Sequence, residues 1–316
     1  MGWKILITDG LEATGIRSLM EHGFQVDNVK LAQEEISVRL PDYDGIIVRS
    51  ATKVRSALID QCPNLKFIAR AGVGLDNIDA EYAASKGIAI INTPASSSRS
   101  VAELALCHMM CLTRGLHRSN RGWEDEAGFQ LLKKNLSVST ELKGKTLLLI
   151  GLGRIGRELA KMALGIEMQV IAFDPFVDKL SIDLQIQDQS LTIDIPLLDL
   201  ETALPKADYV SLHAPYSGKA ILHRDNLHLL KNTAYIINTS RGENLDEESI
   251  LNALQEGKLA GVGLDVFHHE PKVRTEWLNH PKASISPHIG ASTLEAQLRI
   301  ADEMVEKIVA LRQSKQ

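Results

Sequence analysis

The chain has 316 residues, 44% apolar and 24% charged, which is too long for one ordinary core and too apolar for a disordered chain. A formal net charge of −5 and a pI near 6.1 give no electrostatic footprint for nucleic acid. The opening MGWKILITDG enters a strand with no secretory signal pattern, and Gly2 starts no convincing myristoylation motif. No apolar run approaches the roughly 18 residues of a membrane span, so a cytoplasmic protein is expected.

WKILITD (3–9) reads as a strand, LEATGIRSLMEHG (11–23) as a helix ended by glycine, and DGIIVRS (44–50) as a strand. VRSALIDQCP (54–63) reads as a helix stopped by proline, LKFIARAG (65–72) as a strand, DAEYAASKG (79–87) as a helix and IAIINTP (88–94) as a strand. Such alternation predicts a mostly parallel sheet covered on both faces. From Ser96 to about Arg118 runs a long helix opened by a serine cluster suited to N-capping. The polar stretch 119–145 shows no clear periodicity and reads as a surface excursion. KTLLLIG (145–151) starts a second alternating series: QVIAFDP, a helix near 197–204, ADYVSLHAP, NTAYIINTSRG, DEESILNALQEGK, GVGLDVF and ASISPHIG. Apolar spacing makes 292–313 an amphipathic helix, which position alone would assign to the second unit.

Cys62, Cys107 and Cys111 are too few for a disulfide framework. Cys107 and Cys111 flank His108 one turn apart; a buried helix carrying reduced thiols is the expectation, rather than a metal site. His268, His269 and Glu270 are adjacent, and neighbours in a chain rarely point at one ion, so no metal is expected there either.

LLIGLGRIGRELA places Gly151, Gly153 and Gly156 between an apolar run and a helix. That context suits a dinucleotide pyrophosphate: a tight turn, a close backbone approach and helix N–H groups facing the anion. Asp174 ends the next apolar run, where a carboxylate accepts hydrogen bonds from ribose hydroxyls and repels a 2′-phosphate. NAD is expected over NADP. Hydride transfer to a carbonyl further requires a proton donor and a cation for any substrate carboxylate. Arg241 in INTSRGE, Glu270 in DVFHHEP and His288 in SPHIGAS are the candidates. A guanidinium grips a carboxylate bidentately, and a carboxylate behind an imidazole makes it a better acid near neutral pH.

GLGRIG, FDP, HAP, NTSRG, LDVFHHEP and SPHIGAST, in this order, resemble the D-2-hydroxyacid dehydrogenase family over nearly the whole chain. VRSATKV (48–54), ARAGVGLDNID (69–79) and INTP (91–94) resemble its phosphoglycerate dehydrogenases, which open serine biosynthesis. The resemblance implies an α/β fold of two doubly wound, Rossmann-like parallel-sheet domains with an interdomain active-site cleft. A substrate domain would take 1–98 plus 292–316, and an NAD-binding domain 99–291 would carry the dimerisation helix and arm of a homodimer. Arg241, Glu270 and His288 would be the catalytic triad. Cofactor contacts would fall on Gly151, Gly153, Arg154, Ile155, Gly156, Asp174, Ala214, Pro215, Thr239, Ser240, Arg241, Asp265, His288, Gly290 and Ala291. Substrate contacts would fall on Arg49, Ser50, Lys53, Val73, Gly74, Asn77 and Arg241. Arg49 with Lys53, and second Lys133 with Lys134, are the cations suited to a phosphorylated 2-hydroxy acid.

The stretch between Trp123 and Thr140 is longer than the subgroup's pattern, and no regulatory domain follows the last helix, so feedback inhibition at such a domain is not expected. A sibling glyoxylate/hydroxypyruvate reductase, a D-lactate dehydrogenase and an NAD-sensing corepressor stand as alternatives.

Overall fold

The computed structural model describes residues 2–120 and 123–315; Met1, the Arg121–Gly122 part of the polar excursion and Gln316 lie outside the described residues. The chain divides into two compact units, Met1–Ser98 with Ala291–Gln316, and Arg99–Gly290.

The first unit holds β1 (Lys4–Ile7), β2 (Gln25–Asn28), β3 (Gly45–Val48), β4 (Phe67–Arg70) and β5 (Ala89–Asn92), all parallel in the order β2-β1-β3-β4-β5. β1, β3 and β4 are nearly continuous apolar runs because helices cover both faces of a parallel sheet. The predicted helix at 54–63 forms only over Ser56–Ile59. The last helix, Leu294–Ser314, packs Ile300, Met304 and Ile308 with Ile5, Ile7 and Phe67 of this sheet, not with the second unit that chain position suggested. It crosses helix Ala13–Glu21 closely: a Cβ at Gly15 would lie 2.9 Å from the Ala301 methyl. Ser96 hydrogen-bonds to Glu303 and to the Arg299 carbonyl, and Lys307 donates to the Asn92 carbonyl, so polar ties reinforce the apolar seam.

The second unit holds β6 (Thr146–Ile150), β7 (Gln169–Phe173), β8 (Leu180–Ile186), β9 (Gln189–Ile195), β10 (Tyr209–Leu212), β11 (Tyr235–Asn238), β12 (Gly261–Leu264) and β13 (Ala283–Ile285). Six of them form a parallel sheet in the order β13-β12-β11-β10-β6-β7. Strand order reverses at β6, so the loops after β6 and β10 diverge at the carboxyl edge, where doubly wound sheets bind ligands.

β8 and β9 form a separate antiparallel hairpin that the sequence reading did not include. Its inward Leu180, Ile182 and Leu184 pack with Leu159 and Met162 of helix Arg154–Gly165. The long helix runs only over Ser98–Arg114, because Gly115 turns left-handed at φ 63° before a short helix Leu116–Ser119. Within the excursion, Glu126–Asn135 is helical: the Asp125 carboxylate caps it by accepting the Gly128 N–H at 2.7 Å. That helix buries no residue, and its apolar Phe129 and Leu131 stay exposed. Cys107 is exposed and Cys111 half-buried, contrary to the expected buried pair, since the core stripe of Ser98–Arg114 runs through Ala102, Ala105, Met109 and Leu112.

Candidate active site

In the second unit, β6 delivers the glycine turn. Gly151 has φ 95°, and a Cβ there would lie 2.6 Å from the Ala214 amide nitrogen, so a side chain is excluded twice over. Gly156 lies against the turn itself, a Cβ meeting the Gly151 carbonyl oxygen at 2.3 Å. Nothing lies within 4 Å of a Cβ built on Gly153, which caps helix Arg154–Gly165 with no side-chain hydrogen bond to its first-turn N–H groups. A bare cradle therefore sits at the positive end of a helix. Arg154 is exposed and Ile155 half-buried beside it.

Asp174, at the end of β7, accepts the Leu152 N–H on one carboxylate oxygen at 2.8 Å and the Phe176 N–H on the other at 2.9 Å. Each oxygen keeps a lone pair for a further donor. Ala214 is half-buried and Pro215 exposed after β10. Beside Ala214, His213 bonds Ser211 at 2.9 Å through Nε2, and burial pushes its pKa down to about 4, so it is neutral. The Thr239 hydroxyl is buried without a hydrogen-bond partner, a donor and acceptor waiting at the same edge. The open Gly153 cradle, the incompletely used Asp174 and the orphaned Thr239 fit a dinucleotide.

The turn after β11 is built on two asparagines that sequence reasoning missed. Asn238 accepts the Ser240 N–H and hydroxyl and donates to the Arg241 carbonyl; Asn244 donates to Ser240 and to the Ala214 carbonyl. Together they fix Arg241, whose guanidinium donates to the Ser240 carbonyl at 2.7 Å. Gly242 follows because a Cβ there would sit 2.2 Å from the Phe267 carbonyl carbon, so the Arg241 turn lies directly on the loop carrying Glu270.

His288 Nδ1 is 2.6 Å from Glu270 Oε2, and both side chains are partly exposed. The Glu270 hydrogen bond, against burial, raises the His288 pKa. Burial pushes Glu270 up, but the His288 contact and the Phe267 N–H outweigh it, and its pKa falls. Arg241 lowers both, so its positive charge acts on the pair. His288 has φ 53°, a left-handed conformation costly for a non-glycine residue and typical of functional turns. Asp265 pins that turn, accepting the Ser286 hydroxyl and the Ile289 and Gly290 N–H groups. Chemically, an imidazole of raised pKa, a carboxylate on its Nδ1 and a nearby guanidinium are groups able to carry a proton, orient that carrier and grip a carboxylate. Ala291 belongs to the first unit.

In the first unit, Asp9 holds the loop after β3, accepting the Arg49 N–H, the Thr52 N–H and the Thr52 hydroxyl. Asn77 is buried and spends its amide N–H groups on the Arg49 and Thr52 carbonyls, so it supports this loop instead of offering a donor to substrate. Gln33 clasps the Lys53 backbone at both N–H and carbonyl. Arg49 is half-buried, Ser50 and Lys53 are exposed, and Gly74 is half-buried beside exposed Val73, whose carbonyl accepts from Asn92. Lys133 and Lys134 lie in the second unit, in the last turn of helix Glu126–Asn135, where the helix dipole favours cations. Among the described residues no group of three or more metal-ligating side chains occurs, and no helix is long and apolar enough to cross a membrane.

A dinucleotide-binding parallel sheet with an acid-backed histidine defines a dehydrogenase class, and the comparisons name it. The family model "D-isomer specific 2-hydroxyacid dehydrogenase, NAD binding domain" matches residues 106–290. The chain belongs to that family and carries its NAD-binding domain. It is 39% identical over 312 residues to hydroxypyruvate reductase of Thermotoga maritima, covering 97% of each chain. It is 36% identical over 315 residues to human D-3-phosphoglycerate dehydrogenase, covering 99% of this chain but 57% of that protein. Among solved structures, the TT0316 protein of Thermus thermophilus superposes with a TM-score of 0.82 at 30% identity, covering 98% of this chain and 97% of that one.

Proposed function

We propose that the protein oxidises 3-phospho-D-glycerate to 3-phosphohydroxypyruvate with NAD, the first step of serine biosynthesis. The observation that carries the chemistry is the His288–Glu270 contact within the field of Arg241. Arg241 grips the substrate carboxylate and holds the adjacent carbon in place. Glu270 keeps a proton on His288 Nδ1, leaving Nε2 to take the hydroxyl proton during oxidation and return it during reduction. Bound NAD supplies the hydride acceptor, held on the Gly151–Gly156 turn with its ribose on Asp174. The carboxylate at 174 supports NAD over NADP.

Arg49 and Lys53 would receive the phosphate, with the Val73–Gly74 backbone toward the carboxylate. Their pinned loop supports this: the Arg49 backbone is held at both ends, and no carboxylate pairs with either cation among the described residues. The identity to a hydroxypyruvate reductase along both full chains favours a second reading, reduction of an unphosphorylated 2-oxo acid. NADH formation with 3-phosphoglycerate, D-glycerate, D-lactate and glycolate separates the two. If hydroxypyruvate or glyoxylate is reduced about a hundredfold better than the phosphorylated oxo acid, the substrate assignment fails.

A homodimer completes the proposal. Met110, Leu116, Trp123, Phe129, Leu131 and Val138 all expose large apolar surface on the second unit's long helix and excursion. Light scattering of the purified protein at micromolar concentration should give twice the chain mass.

A further inference from the structure

We propose that His108 is a positioning residue for the acid–base pair, holding the His288 turn through Ser286 and Asp265. The inference rests on the reading of His288 as proton carrier. A hydrogen-bond chain runs from His108 to Asp265, and its far end fixes its direction. Ser286 Oγ lies 2.6 Å from Asp265 Oδ1. A carboxylate only accepts, so the single hydroxyl proton of Ser286 is committed there. Ser286 can then only accept from His108 Nε2, 3.0 Å away. An imidazole protonated at Nε2 and neutral leaves Nδ1 as an acceptor, and Ser284 Oγ, 2.9 Å away, donates to it. One tautomer satisfies every contact: Ser284 to His108, His108 to Ser286, Ser286 to Asp265.

Burial holds the ring neutral, consistent with this order. The sequence makes room for it at Gly263 of β12, where a Cβ would lie 2.7 Å from His108 Cβ. The chain ends where it matters. Asp265 receives the Ile289 and Gly290 N–H groups at 2.8 Å each, the two residues after His288. Ser100, on the same helix as His108, donates to the Gly290 carbonyl at 2.6 Å. Helix Ser98–Arg114 thus grips the turn at two points, and His288 needs such anchoring because its backbone is left-handed.

The test pairs spectroscopy with kinetics on the full chain. Nitrogen-15 NMR of wild-type protein should show His108 protonated at Nε2 and bare at Nδ1 across the pH range of activity; the opposite tautomer overturns the proposal. His108→Leu should lower kcat about tenfold with the KM for the 2-hydroxy acid and the NADH Kd unchanged, and His108→Gln, which keeps a donor toward Ser286, should recover most of the loss. Ser286→Ala should match His108→Leu, and the double variant should be no worse than either, which also serves if His108→Leu folds poorly. Wild-type kcat in both single variants, with His288→Ala inactive, overturns the positioning role and spares the acid–base reading. An active His288→Ala takes down that reading and this proposal together.

Discussion

Asp9 in the first unit and Asp265 in the second use one device for different cargo. Each accepts two backbone N–H groups and one hydroxyl, and each thereby fixes a loop with a cationic side chain: Arg49 in one, His288 in the other. Behind each hydroxyl stands a further donor, Thr8 for Thr52 and His108 for Ser286. They differ in what the loop offers. Arg49 is a fixed charge, useful for binding, whereas His288 is paired with Glu270 in a way that moves its proton affinity. On the proposed function, the same scaffold principle would serve recognition in one place and chemistry in the other.

Removing the cargo should separate the two roles most sharply. His288→Asn should cut kcat by about a thousandfold while NADH still binds. Arg49→Gln should raise the KM for the phosphorylated acid about thirtyfold with kcat nearly kept. Steady-state kinetics on both variants decides; if Arg49→Gln loses kcat as heavily as His288→Asn, the division between recognition and chemistry is wrong.

Removing the holder should cost less, and unequally. In Asp265→Asn an amide nitrogen must face a donor: the oxygen can serve Ser286 and Ile289, but NH2 then meets the Gly290 N–H, which cannot rotate away. In Asp9→Asn the oxygen can take both backbone N–H groups and leave NH2 toward the Thr52 hydroxyl, which can turn and accept. Asp265→Asn should lower kcat about a hundredfold and Asp9→Asn should raise KM about threefold. Equal effects would mean that the hydrogen-bond direction at these carboxylates is immaterial.

The pair itself sets a pH dependence. With His288 as the proposed proton carrier, reduction would need its ring protonated; its pKa is raised by the Glu270 hydrogen bond, so reduction should persist above the ordinary histidine range and fade as pH climbs through the raised value. Oxidation needs the neutral ring and should rise over the same interval. Stability follows with the same sign: the raised His288 stabilises the fold below the unfolded histidine pKa, and that contribution is lost as pH rises through the folded one. The lowered Glu270 stabilises above the unfolded carboxylate pKa and is lost as pH falls through its folded value. Glu270→Gln should move the alkaline limb of reduction toward lower pH and cost about tenfold at neutral pH. An unmoved limb would assign the titration to another group.

How legible these features were depends on whether their causes are local. The Gly151–Gly156 turn was readable because the contact of Gly156 with the Gly151 carbonyl acts within six residues, although the approach of Ala214 to Gly151 from after β10 was not visible in the sequence. The buried strands were readable as apolar runs, but β2, QVDN, is a half-exposed edge strand with no such run. The hairpin was present in the alternation of Leu180, Ile182, Leu184 and Ile186, with Gln187 turning at φ 53°, yet it interrupts the strand–helix series, which passes from QVIAFDP to the helix near 197–204 without needing it. The amphipathic stripe of Leu294–Ser314 announced a packed helix but not which sheet it covers, since any apolar face would satisfy it. Asp9, Asn238 and Asn244 were invisible because their worth lies in partners that only the fold brings near.

Asp174 completes the comparison and carries the smallest prediction. It also pins backbone, at Leu152 and Phe176, but with two donors and no hydroxyl, so unlike Asp9 and Asp265 it retains accepting capacity for ribose. The Phe176 N–H is fixed on that carboxylate while the residue is 92% exposed, an apolar side chain in water just after β7, beside the adenosine position proposed above. Phe176→Ala should weaken NADH binding about threefold, read by fluorescence titration, and Phe176→Trp should not. A ring that only covers the hairpin would leave NADH affinity untouched in both variants and show instead as a small loss of thermal stability in the alanine protein. The two outcomes differ in observable, so even this slight effect distinguishes a cofactor platform from a surface residue.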